Sequence, residues 1–245
     1  MKRSHLDWPD CRNARDLGGL PTRDGGRIQD RALMRSDNHT KLSEAGIAAV
    51  RAAGISRIID VRSGAECAHD PSPFATEPFY RNLPIEREGD PWDPDGSLAQ
   101  GYVAMLERNP DLFARAVAAI ADAPPGAVAV HCHAGKDRAG TVIALALSLA
   151  DVTPETVAAD YAILSEEMRS DFAAQVARIE DLTERAQLAE AFTAAPGTML
   201  ELLRQLDRQH GGAEGYLRSG GMTAGQVESL RHRLCEPVRA ETAQA

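Results

Sequence analysis

The stretch that most restricts the fold is a short apolar run, AVAVHC (127–132), between a proline-glycine turn and a second apolar segment. A short apolar run bounded by turn signals is typical of a buried strand. The segment that follows, VIALALSLA (142–150), is about half the roughly 20 residues that a membrane span requires, and it is typical of a buried helix. A strand that leads through a loop into a helix predicts an α/β fold with this strand at the centre of its sheet.

The chain before this strand shows the same alternation. RALMRS (31–36) and ISRIIDV (55–61) are predicted strands, and the helix between them is expected to start after Ser43 and end at Gly54. Proline-rich residues 70–98 predict mainly loops, with one strand at FYRNLPI. Helices are predicted at 99–122, 139–150, 154–168, 171–192, 197–209 and 223–235. A glycine-rich connector is predicted at 211–225. We therefore expect a central sheet flanked by helices, with a helical C-terminal layer.

Length and composition limit the function. The chain has 245 residues, 43% of them apolar, which is compatible with one domain over 1–245. A net charge of −9 argues against a nucleic-acid partner. Four cysteines at unrelated spacings fit a reducing compartment, and the basic start lacks an apolar signal-peptide core. We expect a cytoplasmic protein without stable membrane insertion, with leaderless secretion as the alternative.

Two predicted strands end in residues that carry chemistry. Asp60-Val61-Arg62 follows one strand and Cys132 ends the other. Ligands of open α/β sheets bind at the carboxyl ends of the strands. Both strands are therefore predicted to deliver side chains to one edge of the sheet.

The sequence HCHAGKDRAGT (131–141) allows three interpretations. His131, Cys132 and His133 are metal-ligand types, but consecutive residues at the end of a strand point in alternating directions and do not readily close around one ion. The same residues also suggest a buried structural cysteine followed by a solvated turn. The third interpretation is a phosphate-binding loop, which the context favours.

The spacing C-x5-R between a buried strand and an apolar helix predicts an anion site. Such a loop turns its backbone N–H groups inward, and the helix N-terminus adds to the positive field. Gly135 permits a backbone geometry that a Cβ would resist, and Arg138 supplies a bidentate fork for phosphate oxygens. The same field favours the thiolate form of Cys132, which is the nucleophile.

At this loop the chain resembles the bacterial tyrosine phosphatases that carry the motif H-C-x-x-G-K-D-R, within the cysteine-dependent phosphatases. Four further blocks are similar to that family: NARDLGG (13–19), MRSD (34–37), IIDVRSGAE (58–66) and EGYLRSGGMT (214–223). Ala14 stands where the family usually has an aromatic residue. The blocks span most of the chain, so the resemblance implies the phosphatase fold for all of it.

The resemblance also implies site residues. Cys132 would attack phosphorus, and the phosphate would be held by His133, Ala134, Gly135, Lys136, Asp137 and Arg138. Lys136 and Arg62 would extend the positive field toward the substrate. His131 is expected to support the loop by hydrogen bonding. No metal and no cofactor are required.

The general acid is the open point. Asp137, inside the loop, is the first candidate, as in phosphatases whose loop also reads D-R, and Asp60 is the second. Asp60 could instead orient Arg138 or Arg62. Asp93 and Asp95 lie in a proline-rich loop at a suitable distance from the cysteine. The sequence WPD (8–10) matches the acid loop of the wider superfamily, but it stands too early in the chain and is interpreted as a coincidence.

Two further expectations come from the family. Ala139 stands where a serine or threonine commonly follows the arginine and stabilises the departing thiolate. Slower breakdown of the phosphoenzyme is therefore expected unless Thr141 or a water substitutes. The helices between about 155 and 195 are expected to form a lid over the site.

Three classes of function are compatible with these residues. The first is a phosphatase acting on a phosphorylated protein, with phosphotyrosine, phosphoserine/threonine or phosphoinositide as substrate, or on a small phosphate ester. The second is sulfur transfer or arsenate reduction by the same cysteine-anion loop, and the third is a non-catalytic phosphate-binding module. Retention of both Cys132 and Arg138 favours the first.

Overall fold

A computed structural model describes residues 5–91, 96–164 and 166–236. Its sheet consists of β1 (Arg15–Asp16), β2 (Leu33–Ser36), β3 (Ile55–Asp60), β4 (Tyr80–Asn82) and β5 (Ala127–His131). The strand order across the sheet is β1-β2-β5-β3-β4. β1 pairs antiparallel with β2, and the other neighbours are parallel. The α/β fold and the central position of the strand before the cysteine are confirmed.

Strand β5 is central because both of its faces are apolar. All five residues are buried, with Val128 and Val130 in one hydrophobic core and Ala127 and Ala129 in the other. A strand covered on both faces lacks the apolar-polar alternation of a solvated strand. In register, His131 pairs with Ser36 of β2 and with Asp60 of β3, so three parallel strands end at one level.

Helices cover both faces of the sheet. They are α1 (Glu44–Ala52), α2 (Gly64–His69), α3 (Leu98–Arg108), α4 (Pro110–Ala121), α5 (Asp137–Leu149), α6 (Pro154–Tyr161), α7 (Glu166–Ala177), α8 (Leu182–Phe192), α9 (Pro196–His210), α10 (Ala213–Ser219) and α11 (Ala224–Leu234). Helix α1 packs on the smaller core, and α4, α5 and the C-terminal helices build the larger one. Ten of the thirteen residues of α5 are buried, so this helix is surrounded by protein. A short 3-10 turn, His39–Lys41, follows β2.

Several predicted boundaries are wrong for identifiable reasons. The single helix expected over 99–122 is two helices, because Pro110 lacks the N–H that would continue α3 and instead starts α4. Asp181 caps α8 and separates it from α7, so 171–192 is not one helix either, and the helix expected over 154–168 ends at Tyr161. The glycine-rich connector contains α10.

Helix α2 is not among the helices that the sequence predicts. Its first turn is fixed by a capping box, in which Ser63 Oγ accepts from the N–H of Glu66 and the Glu66 carboxylate accepts from the N–H of Ser63. This arrangement satisfies two backbone donors that would otherwise lack partners. The start of α1 at Ser43, in contrast, is confirmed, with the Ser43 hydroxyl accepting from the N–H of Gly46.

Within the three described ranges, the helices are all too short or too polar to cross a lipid bilayer.

Candidate active site

The loop after β5 is held from outside by its carbonyl oxygens. Four consecutive carbonyls accept hydrogen bonds from the surrounding scaffold: His133 from Asn38 N at 2.9 Å, Ala134 from Asn13 Nδ2 at 3.0 Å, Gly135 from Arg35 Nε at 3.1 Å, and Lys136 from Arg35 Nη2 at 3.1 Å. Within the described residues, the backbone N–H groups of 133–138 donate to no protein acceptor. Successive amides with free N–H groups next to a helix N-terminus form an anion site.

Gly135 permits this path of the backbone. Its φ is +66°, in the left-handed region that favours glycine. A Cβ at this position would lie 2.3 Å from the carbonyl oxygen of Ser36. The loop therefore passes closer to the end of β2 than any side chain would allow.

A buried ion network holds Arg35 against the loop. Arg35 Nη1 lies 2.8 Å from Asp160 Oδ2, and Arg15 Nε lies 3.0 Å from Asp160 Oδ1. All three side chains are at most 4% exposed. Asp160 on α6 therefore orients two arginines from neighbouring strands, one of which binds the loop carbonyls. The sequence placed Arg35 in the MRSD block but did not indicate Asp160 as its partner.

Arg138 is held by a carboxylate that the sequence analysis missed. Its Nη1 and Nη2 donate to the two carboxylate oxygens of Glu66 at 2.5 and 2.8 Å. The bonds to Arg138 lower the pKa of Glu66 to about 2. This bidentate pair fixes the plane of the guanidinium at the base of the site. The S-x-x-E capping pattern at 63–66 was the available signal, since it places Glu66 at the start of a helix.

Glu86 is a second carboxylate near Arg138. One of its oxygens lies 3.8 Å from Arg138 Nη1. Burial raises the pKa of Glu86 above its ordinary value, although Arg138 acts in the opposite direction. Nothing in the sequence around position 86 distinguished this residue from a solvated loop glutamate.

Asp60 and Arg62 form a buried pair at the end of β3. The Asp60 carboxylate accepts from Arg62 Nε and Nη2 and from the hydroxyl of Tyr80, and Asp60 is 0% exposed. Burial alone would raise the pKa of Asp60, but His131 and the hydrogen bonds from Arg62 bring it below the ordinary range. A carboxylate that stays ionised and fully paired is a poor proton donor, so the contacts favour the orienting role over the acid role.

The expected contact between Arg62 and the substrate is not supported either. Arg62 is 1% exposed, and its remaining amino group donates to the carbonyl of Asp70 at 3.1 Å. The guanidinium is therefore committed to the protein interior.

His131 supports the loop from below. Its Nδ1 lies 3.3 Å from the carbonyl oxygen of Cys132, and its ring stacks on that of His39 at 4.2 Å between centroids. Burial lowers the pKa of both histidines, that of His39 well below the ordinary value. The two stacked rings are fully buried, and Cys132, which follows His131, is 2% exposed.

Lys136 points toward helix α8 instead of the anion site. Its Nζ donates to the carbonyls of Ala191 and Thr193 at 2.7 and 2.8 Å, and it lies 2.8 Å from Asp137 Oδ1. An ammonium has three donors, and these contacts use all of them. The residue is 1% exposed. In this conformation Lys136 binds the end of α8, so the structure does not support the prediction that it contacts the substrate.

Asp137, the first candidate for the acid, starts helix α5 beside the arginine. Its Oδ1 accepts from the hydroxyl of Tyr102, in addition to the contact with Lys136. The Asp137 side chain is 37% exposed. Asp93 and Asp95 lie outside the described residues. Trp8 of the WPD sequence is buried in the smaller core, and Asp10 is exposed.

The other sequence expectations concern small groups. Ala139 is fully buried, and the Thr141 hydroxyl donates to the carbonyl of Asp137 at 2.9 Å, so Thr141 is engaged within its own helix. Cys11 donates to Asp37 at 2.9 Å, and burial raises the pKa of its thiol, as it does for Cys67 and Cys235. In the described ranges, no three His, Cys, Asp or Glu side chains cluster as metal ligands would.

The comparisons with known proteins identify the family of the chain. The model of the tyrosine phosphatase family matches residues 6–236. The chain is 30% identical to a tyrosine-protein phosphatase of Nostoc commune over 221 residues, which cover 83% of this chain and 74% of the relative. It is 26% identical to the triple specificity protein phosphatase PtpB of Mycobacterium tuberculosis, over 92% of this chain and 97% of the relative. The chain belongs to the tyrosine phosphatase family and is a phosphatase.

Proposed function

We propose that this phosphatase hydrolyses phosphate monoesters through a cysteinyl-phosphate intermediate. The observation that carries the proposal is the loop geometry, in which four outward carbonyls are bonded to the scaffold and the amides of 133–138 have no acceptor among the described residues. Six amides and the Arg138 guanidinium match the three equatorial oxygens of a phosphoryl group in transfer. Cys132 lies between strand β5 and these loop amides.

The reaction has two steps. The Cys132 sulfur forms a bond to phosphorus as the bond from phosphorus to the leaving oxygen breaks, and the Asp137 carboxyl group gives that oxygen its proton. In the second step Asp137 accepts a proton from water, the water oxygen bonds to phosphorus, and the S–P bond breaks to release phosphate and the thiolate. Arg138, held by Glu66, stays with the phosphoryl oxygens throughout.

Asp137 is the preferred acid because of its place and exposure. It lies within the phosphate loop beside Arg138 and its side chain is partly exposed, whereas Asp60 is buried and fully paired. Glu86 is the carboxyl group to compare with it, since it also lies beside Arg138 and burial raises its pKa.

The substrate class follows from the family. Phosphotyrosine is the first expected substrate. The mycobacterial relative is named a triple specificity protein phosphatase, and we propose phosphoserine/threonine or a phosphoinositide as further substrates of this chain. A substrate with several phosphates would need Lys136, which means that α8 must first release it.

Helices α7 and α8 are the proposed lid. Phe172 and Phe192 stack at 4.2 Å and join the two helices, whose other described side chains are largely exposed. Helices α7 and α8 contact the rest of the protein at two places. Lys136 binds the end of α8, and Arg12 forms an ion pair with Asp171 of α7. These contacts place the end of the hairpin next to the phosphate loop.

Arsenate reduction and sulfur transfer have less support. A reductase of this type needs a second thiol to resolve the cysteine adduct, and the three other thiols have raised pKa values because they are buried. A thiol that stays protonated is a poor nucleophile.

Phosphate release from a panel of phosphotyrosine, phosphoserine and phosphothreonine peptides, phosphoinositides and nucleotides tests the proposal. We expect vanadate-sensitive release that vanishes in Cys132→Ser and persists in Cys235→Ser, with trapping of a phosphorylated Cys132 by acid quench. Asp137→Asn and Glu86→Gln, measured side by side, identify the acid. Release that survives Cys132→Ser would refute the mechanism.

A further inference from the structure

A chain of hydroxyl groups leads from α6 to the Asp137 carboxylate. The hydroxyl of Tyr102 on α3 donates to Asp137 Oδ1, and it lies 2.9 Å from the hydroxyl of Tyr161 at the end of α6. Because Tyr102 has one hydroxyl hydrogen and gives it to the carboxylate, Tyr161 must be the donor in the second bond. Tyr161 therefore fixes the direction in which Tyr102 donates.

Both tyrosines are held rigidly. Each is 1% exposed, and their rings meet edge to face at 6.2 Å. Gly140 of α5 makes room for this arrangement, since a Cβ there would lie 3.3 Å from Tyr161 Cδ2 and 2.9 Å from Arg35 Nη2. Gly140 therefore lies against both Tyr161 and Arg35, the arginine that binds the loop carbonyls.

Two donors converge on the same oxygen of Asp137. Lys136 Nζ approaches Oδ1 at 2.8 Å and the Tyr102 hydroxyl donates to it as well, while in the described part of the chain no hydrogen bond reaches Oδ2. An oxygen that already accepts from an ammonium and a hydroxyl is a poor place for a proton. The transferable proton is thus directed to Oδ2.

We propose that Tyr102, oriented by Tyr161, is a positioning residue that holds the Asp137 carboxyl group with Oδ2 as the proton-carrying oxygen. This inference rests on the proposed role of Asp137 as the general acid. Tyr102 from α3 and Tyr161 from α6 thereby join Lys136 of the phosphate loop in holding Asp137, the acid.

Burial supports the direction of donation. Burial, reinforced by the neighbouring Asp137 carboxylate, raises the pKa of Tyr102 well above its ordinary value, and burial does the same for Tyr161. Both hydroxyls therefore keep their hydrogens across the working pH range and act as fixed donors.

The test uses the full-length protein and two substrates that differ in their need for an acid. 4-Nitrophenyl phosphate has a leaving group that departs with little help, whereas phenyl phosphate has a leaving oxygen as basic as that of tyrosine. We expect Tyr102→Phe to lower kcat/KM, which reports the steps up to formation of the phosphoenzyme, about tenfold more for phenyl phosphate than for 4-nitrophenyl phosphate. Tyr161→Phe should show the same selectivity to a smaller degree, and Tyr102→Phe should add nothing in an Asp137→Asn background.

The outcomes separate the two levels of the proposal. Equal losses of kcat/KM on both substrates in Tyr102→Phe and Tyr161→Phe, with Asp137→Asn selective for phenyl phosphate, would leave the acid in place and overturn the role of Tyr102. An Asp137→Asn variant without selectivity would refute the acid assignment and the positioning role together. Thermal melting of each variant, with Tyr216→Phe as a buried-tyrosine control outside the network, tests for general loss of structure; the Tyr161→Phe result decides if Tyr102→Phe does not fold.

Discussion

Single residues at the loop determine both its shape and its chemistry. Ala139 is the clearest departure from the related loops, and its buried methyl group contributes no hydroxyl behind Cys132. Since the Thr141 hydroxyl donates to its own helix, we predict that breakdown of the phosphoenzyme limits turnover. Ala139→Ser should raise kcat several-fold and reduce the pre-steady-state burst.

Rapid-quench measurements with 4-nitrophenyl phosphate test this prediction. Ala144→Ser, which places the same hydroxyl elsewhere in buried helix α5, is the matched control. A burst that is the same in the wild type and in Ala139→Ser would contradict the idea.

Gly135 gives a prediction about the backbone. Alanine there would combine a φ of +66° with a Cβ 2.3 Å from the carbonyl oxygen of Ser36. Strain of about 1–3 kcal/mol is expected from the left-handed conformation alone, so Gly135→Ala should lower kcat/KM at least tenfold and reduce Tm. Gly197→Ala, whose Cβ would contact nothing within 4 Å, should leave both unchanged; comparable losses in the two variants would oppose this account.

The residues differ in how far the sequence could predict them. One loop contains Cys132, Gly135 and Arg138, so their spacing alone predicted a phosphate-binding loop. Glu66 binds Arg138 across 72 residues of chain, and Asp160 binds Arg35, which in turn binds the loop carbonyls, across 125. Such pairings depend on which helices meet at the sheet edge, and a single sequence does not contain that information.

At the scale of elements, the parallel strands were predictable and the helix breaks were not. β3 and β5 are apolar runs bounded by turns, whereas the break at Asn109-Pro110 is hidden within a helical pattern and α10 within a run of glycines. Local capping decides these boundaries, as Ser63 and Asp181 show.

Asp160 joins three elements, because it comes from α6 and binds arginines of β1 and β2. Removing one partner of a buried ion network leaves uncompensated charge, which costs about 3–5 kcal/mol. We predict that Asp160→Asn lowers the free energy of unfolding by that amount in urea titrations and reduces phosphate release. Asp151→Asn, which affects an exposed pair with Arg23, should cost less than about 1 kcal/mol. Equal costs in the two variants would show that the network does not hold the fold.

For the whole molecule, the buried histidines predict how stability depends on pH. His39 and His131 have pKa values below their unfolded value of 6.5, chiefly because both are buried. Below about pH 6.5 the unfolded chain therefore binds more protons than the folded chain, so stability is complete above that pH and is lost as the pH falls. The slope is at most about 1.4 kcal/mol per pH unit for each proton.

Urea titrations at several pH values measure this slope. They should run from about pH 7.5 to about pH 5, which brackets the ordinary histidine pKa. His39→Phe keeps an aromatic ring against Trp8 and Phe74 and removes one titrating group, so its slope should be shallower. A wild-type stability that stays level on acidification through this range would contradict the prediction.

The last prediction concerns the proposed lid, helices α7 and α8, which contacts the phosphate loop through Lys136. The last carbonyls of a helix have no hydrogen-bond partner within it. At the end of α8, the Lys136 ammonium of the phosphate loop donates to the carbonyls of Ala191 and Thr193. Few other described side chains of α7 and α8 are buried, so this contact should account for much of the hairpin's attachment. Lys136→Met removes the donors and retains the apolar stem.

Hydrogen exchange measures the result. The amides of 182–192 should exchange at least about tenfold faster in Lys136→Met, since a charge-assisted hydrogen bond is worth about 1.5–3 kcal/mol. Lys41→Met, a change at an exposed lysine, is the control. Unchanged exchange in α8 would mean that the hairpin is held by other contacts. Faster exchange would show that the residue that follows the loop glycine also closes the lid, so that a substrate with a second phosphate competes with α8 for the same ammonium.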